Sequence, residues 1–283
     1  MRDEAASDPN LPDIQAWARH YILSDHLAYK LAPGPMPRKQ ALAPQPERLT
    51  TPGRPRLLQP APRRERTPKP EALREPRFRA KLMHAFFHHE LQAAELMCWA
   101  LLAFPDTPRG FRSGLMRICQ DEIRHMNMYR KHIETLGFAL GDFPVRDWFW
   151  KRVPSCKDAT AFVALMGMGF EGGNLDLAPT FADRFRAAGD EAGAAIQEHV
   201  AREEIPHVRF ATHWFSAWTG ACDFETWIQH LPPPLSPAVL RGHPIAEELR
   251  MSAGMPAAFV QALKAYTPEP RGRLVPGASG AAE

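Results

Sequence analysis

Cysteine is scarce in this chain and never arranged in pairs. Cys98, Cys119, Cys156 and Cys222 fall in no Cys-x-x-Cys spacing, which argues against a disulfide framework and against a thiolate zinc site. The opening MRDEAASDPN has no apolar signal region, so the expected setting is reducing and cytoplasmic. Long hydrophobic runs are also missing. The longest, AFVALMGMGF at 161–170, is half of the about 20 residues that a helix needs to span a bilayer, so no membrane span is expected. No Gly-x-Gly-x-x-Gly follows a strand pattern, and there is neither a Walker-type loop nor a Gly-x-Ser-x-Gly elbow. Dinucleotide binding, P-loop chemistry and serine hydrolysis therefore lack their usual signatures.

What is present is a duplication. QDEIRH at 120–125 and REEIPH at 202–207 share the pattern acid-Glu-Ile-x-His, 82 residues apart. Each follows a lone glutamate in an apolar stretch, Glu90 in FFHHELQAAEL and Glu171 in MGFEGGNLDL. The glutamates are separated by 32 residues in the first half and 33 in the second. On a helix, residues at i and i+3 project from one face, so Glu122 with His125 and Glu204 with His207 can reach the same centre. Two helices giving one Glu each and two giving Glu-x-x-His, folded as a four-helix bundle, is how carboxylate-bridged di-iron and di-manganese sites are built. The expected ligands are Glu90, Glu122, His125, Glu171, Glu204 and His207. Their carboxylates would offset two divalent cations, whereas burying them without metal carries a large desolvation cost. The carboxylate-rich set favours iron first and manganese second over zinc.

The 283 residues, 45% hydrophobic, fit one bundle with extensions. The predicted class is all-α, a ferritin-like four-helix bundle with an N-terminal helix, a Pro-rich basic arm and a C-terminal helical extension. Residues 1–76 hold the helix (11–32) and the arm, residues 77–220 the bundle, and residues 221–283 the extension with a Gly/Ala tail expected to be disordered. The bundle helices are predicted at about 77–104, 108–136, 158–188 and 190–218, the third kinked or split by Pro179. A long aromatic crossover, GDFPVRDWFWKRVP, joins the second to the third, as a ferritin-like topology requires. Weaker helices are predicted near 236–250 and 255–266. The arm is cationic: residues 38–79 contain twelve Lys or Arg against four Glu, in a chain of net charge +3, and twelve of 29 prolines lie in 33–76. It is read as wrapping the acidic bundle, with docking to RNA or another polyanion, or plain disorder, as the alternatives.

Several neighbours compete with the duplicated set. Glu95 lies on a second face of the first bundle helix with His88, Leu91 and Cys98, and only repeat symmetry favours Glu90. His84, His88 and His89 resemble a ligand cluster but exceed what the duplicated set needs, so they are expected behind the ligands or at the surface. Tyr129, one turn past His125, is read as a core tyrosine, with a donor behind the ligands or a redox-active phenol as the alternatives. Asp121 and Glu203, each just before a ligand, are expected to be solvated or to hold nearby basic residues. Trp148, Trp150, Trp214 and Trp218 are expected in the core. The glycines at 167, 169, 172 and 173 are read either as close helix packing or as space for a pocket.

Taken together, PGRPRLLQPAP, LMHAFFHHELQAAEL, DEIRH, EGGNLDLAP and EEIPHVRFATHWF resemble an uncharacterised bacterial ferritin-like family, over roughly residues 10–220. That family is similar to the non-haem di-iron hydroxylase that modifies isopentenyl-adenosine in tRNA. The resemblance implies the same six ligands and a counterpart of the basic arm. Where it leads us to expect Glu-Ala-Arg-Gly-Leu-Asp, this chain reads Glu171-Gly172-Gly173-Asn174-Leu175-Asp176. The arginine is missing, and Asn174 is a candidate to hydrogen-bond a ligand carboxylate instead. The expected function is an O2-dependent di-iron oxidoreductase that hydroxylates, desaturates or N-oxygenates an organic substrate with an external electron donor. The alternatives are ferroxidase or iron handling and a non-catalytic metalloprotein. Partners beyond O2 and substrate are not expected to include a membrane, nucleic acid is disfavoured, and a monomer or homodimer is expected.

Overall fold

A computed structural model describes residues 11–41, 44–61 and 67–268. It is all-helical. Among the described residues no helix is long and apolar enough to cross a membrane. The sequence region 11–32 forms two helices, α1 (Ile14–Leu23) and α2 (Leu27–Leu31), where one was expected. The break at Ser24 is stabilised from within. Lys30 is fully buried and its Nζ donates to the carbonyls of Tyr21 and Ile22, satisfying the C-terminal end of α1.

The described parts of the arm lie along the helices. Gly53 N–H donates to Ile22 O, Trp99 Nε1 donates to Leu49 O, and Arg48 donates to the carbonyls of Cys156 and Lys157. A single bridge joins Pro60 to Val145 of the crossover. Residues 62–66, which hold three of the arm's arginines, lie outside the described residues, as does the tail beyond 268.

Four long helical segments enclose the core. α3 (Pro76–Ala103) begins with proline at its first position, where a missing N–H costs nothing. α4 (Arg109–Thr135) ends at Gly137, whose φ of 84° suits the left-handed stop. The third segment starts as α5 (Ala159–Phe162), capped by Asp158, widens into a π-helix over Val163–Glu171, and continues as α6 (Gly172–Ala187). The split expected at Pro179 does not occur, since α6 runs through that residue; the departure from α geometry lies upstream and ends on Glu171. α7 (Glu191–Thr219) is capped by Asp190 and stopped by Gly220 at φ 82°. α3 packs on α4, α6 and the π-helix pack on α7, and α4 packs on α7.

The apolar interior forms two clusters. One contains Leu115, Ile118, Cys119, Val208 and Ala211, and the other Phe87, Met126, Tyr129, Phe185 and Val200. Along α4 and α7 the buried polar residues between these groups are Glu122, His125, Glu204 and His207. A polar layer thus divides the core, and polar groups so placed need partners.

The C-terminal region differs from expectation. α8 (Phe224–His230), capped by Asp223, lies where no helix was predicted, and most of 236–250 is irregular. Pro232, Pro233, Pro234, Pro237 and Pro244 remove the donors a helix there would need. α9 (Glu247–Ser252) and α10 (Ala257–Ala265) follow. A buried ion pair fastens this region to α6: Asp176 accepts from Arg250 Nε at 2.9 Å and Nη2 at 2.7 Å, from Gly242 N at 2.8 Å and from Ala246 N at 2.9 Å.

Candidate metal centre

Each element brings its polar residues inward at helical spacing. Glu90, Glu122, His125, Glu171, Glu204 and His207 are all buried, none more than 5% exposed. Ligand atoms of Glu90, Glu122, His125 and Glu204 lie within 4.8 Å of one another, a grouping that could hold a metal ion. His207 joins them: its Nδ1 is 3.1 Å from Glu122 Oε1 and 3.1 Å from Glu204 Oε2. His125 Nδ1 is 3.3 Å from Glu122 Oε2 and 3.9 Å from Glu90 Oε2. Glu122 therefore stands between the two imidazoles. Glu171, at the end of the π-helix, is buried beside the same carboxylates, and its Oε1 has no hydrogen-bond partner among the described residues.

The electrostatics describe one coupled cluster. Burial, then the charge of Glu122, pushes the Glu90 carboxyl well above the usual range. Burial, then Glu204, Glu122 and Glu90, does the same to Glu171. Burial would lower His125, but hydrogen bonds to Glu122 and Glu90 outweigh it and hold the imidazole up to about 12. His207 is likewise held high by Glu204 and Asp121 against the effect of burial. Burial would raise Glu122, yet its hydrogen bonds with His125 and His207 keep it far below the usual range. Without cations, the cluster balances its charge with protons, and cation binding at such a site displaces them.

Both imidazoles turn Nδ1 inward and Nε2 outward, and each Nε2 meets a carboxylate from the opposite helix. His125 Nε2 is 2.8 Å from Glu203 Oε2, and His207 Nε2 is 3.0 Å from Asp121 Oδ2. Arg124 ties the two supports together, donating to Asp121 and, at 3.1 Å, to both oxygens of Glu203. Such carboxylates fix the tautomer and orientation of a metal-binding histidine. From sequence, Asp121 and Glu203 are expected to be solvated or to hold basic residues. They do hold Arg124, and they also make the crossed contacts with the histidines, for which the acid before each Glu in the repeat is the sequence signal.

The competing residues separate cleanly. Glu95 is fully buried away from the cluster, bonded to Lys30 Nζ at 2.7 Å, Arg54 Nη1 at 2.5 Å and Trp150 Nε1 at 2.7 Å. His88 Nε2 is 3.0 Å from Asp147, and His84 Nε2 accepts from Gly141 N at 3.0 Å. His89 is exposed and stacks on Phe149. Tyr129 is buried, and its hydroxyl accepts from Gln197 Nε2 at 3.1 Å rather than engaging a ligand carboxylate. Asn174 Nδ2 donates to Glu204 Oε1 at 3.2 Å.

A cavity of about 240 Å³ adjoins the cluster, lined by Glu90, Glu171 and Asn174 and by the aromatic rings of Phe86, Tyr129, Trp148, Phe149 and Phe170. Trp148 packs partly buried against the core, as expected, and also lines this cavity. Phe149 and Phe170 stack at 4.5 Å. Leu240 and Arg241 of the C-terminal region also line it. The glycines mainly allow close packing. A Cβ on Gly167 would lie 2.3 Å from Ala211 Cβ of α7, and one on Gly173 would lie 3.3 Å from Leu240 O. Gly169 and Gly173 also line the cavity, so packing and open space meet there.

Fold and site define an all-helical protein with a buried carboxylate and histidine cluster suited to a metal ion. The chain belongs to the family described as "Protein of unknown function (DUF455)", which matches residues 15–261. An uncharacterized protein of Haemophilus influenzae is 27% identical over 146 residues, 49% of this chain and 51% of that protein. The match thus spans about half the length of the relative. No solved structure matches the chain.

Proposed function

We propose that the chain is a ferritin-like four-helix bundle holding a carboxylate-bridged pair of iron ions, with manganese as the second choice, and that it uses O2 to oxidise an organic substrate. Glu90, Glu122, His125, Glu171, Glu204 and His207 would hold the metals. The unpartnered Oε1 of Glu171 and the four buried carboxylates against two imidazoles fit a site completed by divalent cations. When bound, such a pair supplies O2 reduction and substrate oxidation, while the protein supplies orientation and access. The resemblance to the di-iron tRNA hydroxylase supports the same metal and oxidant.

The observation that carries an oxygenase reading over iron storage is the cavity. Storage needs a route for ions, and a pocket walled by Phe86, Trp148, Phe149 and Phe170 serves an apolar or planar organic group. A cavity of about 150 Å³ holds benzene, so about 240 Å³ suits a body larger than a single ring. Asn174 steadies Glu204 at the metal end, and Asp121, Glu203 and Arg124 keep both imidazoles aimed. The test is anaerobic Fe(II) loading followed by O2. Oxidised iron that stays at about two per chain in excess Fe(II), as six ligands on four helices require, supports the oxygenase. Mineral growth far beyond that establishes storage instead.

A further inference from the structure

One pair of thiols beside the cluster has no role in holding metal. Cys98 on α3 and Cys119 on α4 are both fully buried, with their sulfurs 3.7 Å apart. Cys119 precedes Glu122 by three residues, which places it one turn away on the same helical face. Closing the pair needs an approach of roughly 1.7 Å to reach the bonded distance of about 2.05 Å. Cys156 is also buried and Cys222 is half-buried, and neither has a sulfur partner among the described residues.

We propose that Cys98 and Cys119 are a built-in two-electron donor to the metal site, closing to a disulfide when O2 is reduced there without an organic substrate. The inference rests on the oxygenase reading above. Its logic is electron count. Reducing O2 to two waters takes four electrons, and a ferrous pair that becomes ferric supplies two. With no substrate to oxidise, the reaction stops two electrons short. The thiol pair supplies the missing two: both S–H bonds break, the S–S bond forms, and the two thiol protons with two more from solvent complete two waters. One O2 is consumed per chain, two irons go from ferrous to ferric, and one disulfide forms.

The surroundings favour this route over ordinary thiol exchange. Burial first, then the hydrogen bond with Cys98, pushes the Cys119 thiol well above its usual range. Thiolate attack on an external disulfide is thereby suppressed, as is direct reaction with oxidants in solvent. Cys119 and Glu122 stand one turn apart on one face of α4, so the pair lies beside a residue of the cluster and not at the surface. A pair of thiols that merely filled space would stay reduced whatever happened at the cluster.

The experiment loads the full chain with Fe(II) without air, adds O2 with no organic substrate, and quenches in acid and denaturant before alkylation with N-ethylmaleimide. Peptide mass analysis then identifies which cysteines escaped alkylation. The expected result is a Cys98–Cys119 disulfide at close to one per chain, Cys156 and Cys222 alkylated, and all four cysteines alkylated in metal-free protein given the same O2. Cys98→Ser should keep its iron content and release hydrogen peroxide where the wild type releases little. O2 consumption with all four thiols intact overturns the inference alone. Oxidation that falls mainly on Cys222 also overturns it, since that marks attack from solvent. Failure of the wild type to take up iron or consume O2 defeats the oxygenase reading, and this inference with it.

Discussion

Removing the Asp176 carboxylate should be among the most damaging single changes outside the metal cluster. Asp176 and Arg250 have fully buried side chains, and the carboxylate accepts four hydrogen bonds, two from the guanidinium and two from the backbone of Gly242 and Ala246. Asp176→Ala leaves a buried guanidinium without its counter-charge, a loss that costs about 3–5 kcal/mol. At roughly 2–4 °C per kcal/mol for chains of 150–250 residues, Tm should fall by about 6–20 °C. Because the fastened segment includes Leu240 and Arg241, the cavity wall should loosen as well. The assay is a urea and thermal melt of metal-free protein, run with Asp176→Ala/Arg250→Met beside the single variant. The double variant removes both charges and should recover at least half of the loss, because a buried pair replaced by apolar residues is often near neutral. A single variant within about 1 kcal/mol of wild type, or a double variant no better than the single, refutes the reasoning.

Asp121→Asn and Glu203→Gln should each leave helix content unchanged while weakening metal affinity roughly 10- to 100-fold, as loss of a carboxylate behind a histidine ligand does; competition with a chelator measures it, and unchanged affinity removes these residues from the site. Burial would raise Glu95, but Arg54 and Lys30 outweigh it and hold its carboxyl below the usual range. A depressed native pKa adds stability above the unfolded value of about 4.3 that is lost as pH falls below it. The urea midpoint of wild type minus that of Glu95→Gln should therefore shrink from pH 7 toward pH 3, and a constant difference would show that the Glu95 charge contributes nothing. Gly167→Leu should lower Tm and metal content together, since its side chain would meet Ala211 of α7; normal metal loading in a stable variant would mean that α7 does not pack there as described. Gly172→Leu, which meets Arg250 and Met255 rather than open space, should cost about 1–3 kcal/mol by overpacking, and a neutral melt would contradict that.

Much of the centre was legible because the repeat carried its own control. Glu90, Glu122 and Glu204 interrupt apolar stripes at helical spacing, and two copies in the same register select a face. Sequence could not decide between Glu90 and Glu95 except by symmetry. The physical decision comes from Lys30 and Arg54, 65 and 41 residues away from Glu95 in the chain, partners that no local pattern exposes. The crossed contacts of Asp121 with His207 and Glu203 with His125 depend on how closely α4 approaches α7. The acids were visible in both copies, but as immediate neighbours of ligands they read as outward-facing. The π-helix was hidden for another reason: Val163–Phe170 is apolar on every side, so no stripe registers a wider turn. Asp223 ahead of Phe224-Glu225-Thr226 is a capping signal for α8, and the prolines from 232 to 244 outweigh the weak helical pattern there.

The central claim is that this cluster is a two-metal centre, and metal content tests it most directly. Wild-type chain loaded with Fe(II) or Mn(II) and freed of excess should retain about two ions by elemental analysis, and Glu122→Ala/Glu204→Ala should retain little of either while remaining helical by circular dichroism. Wild-type protein that retains no metal, or a double variant that loads as fully as wild type, would contradict the account.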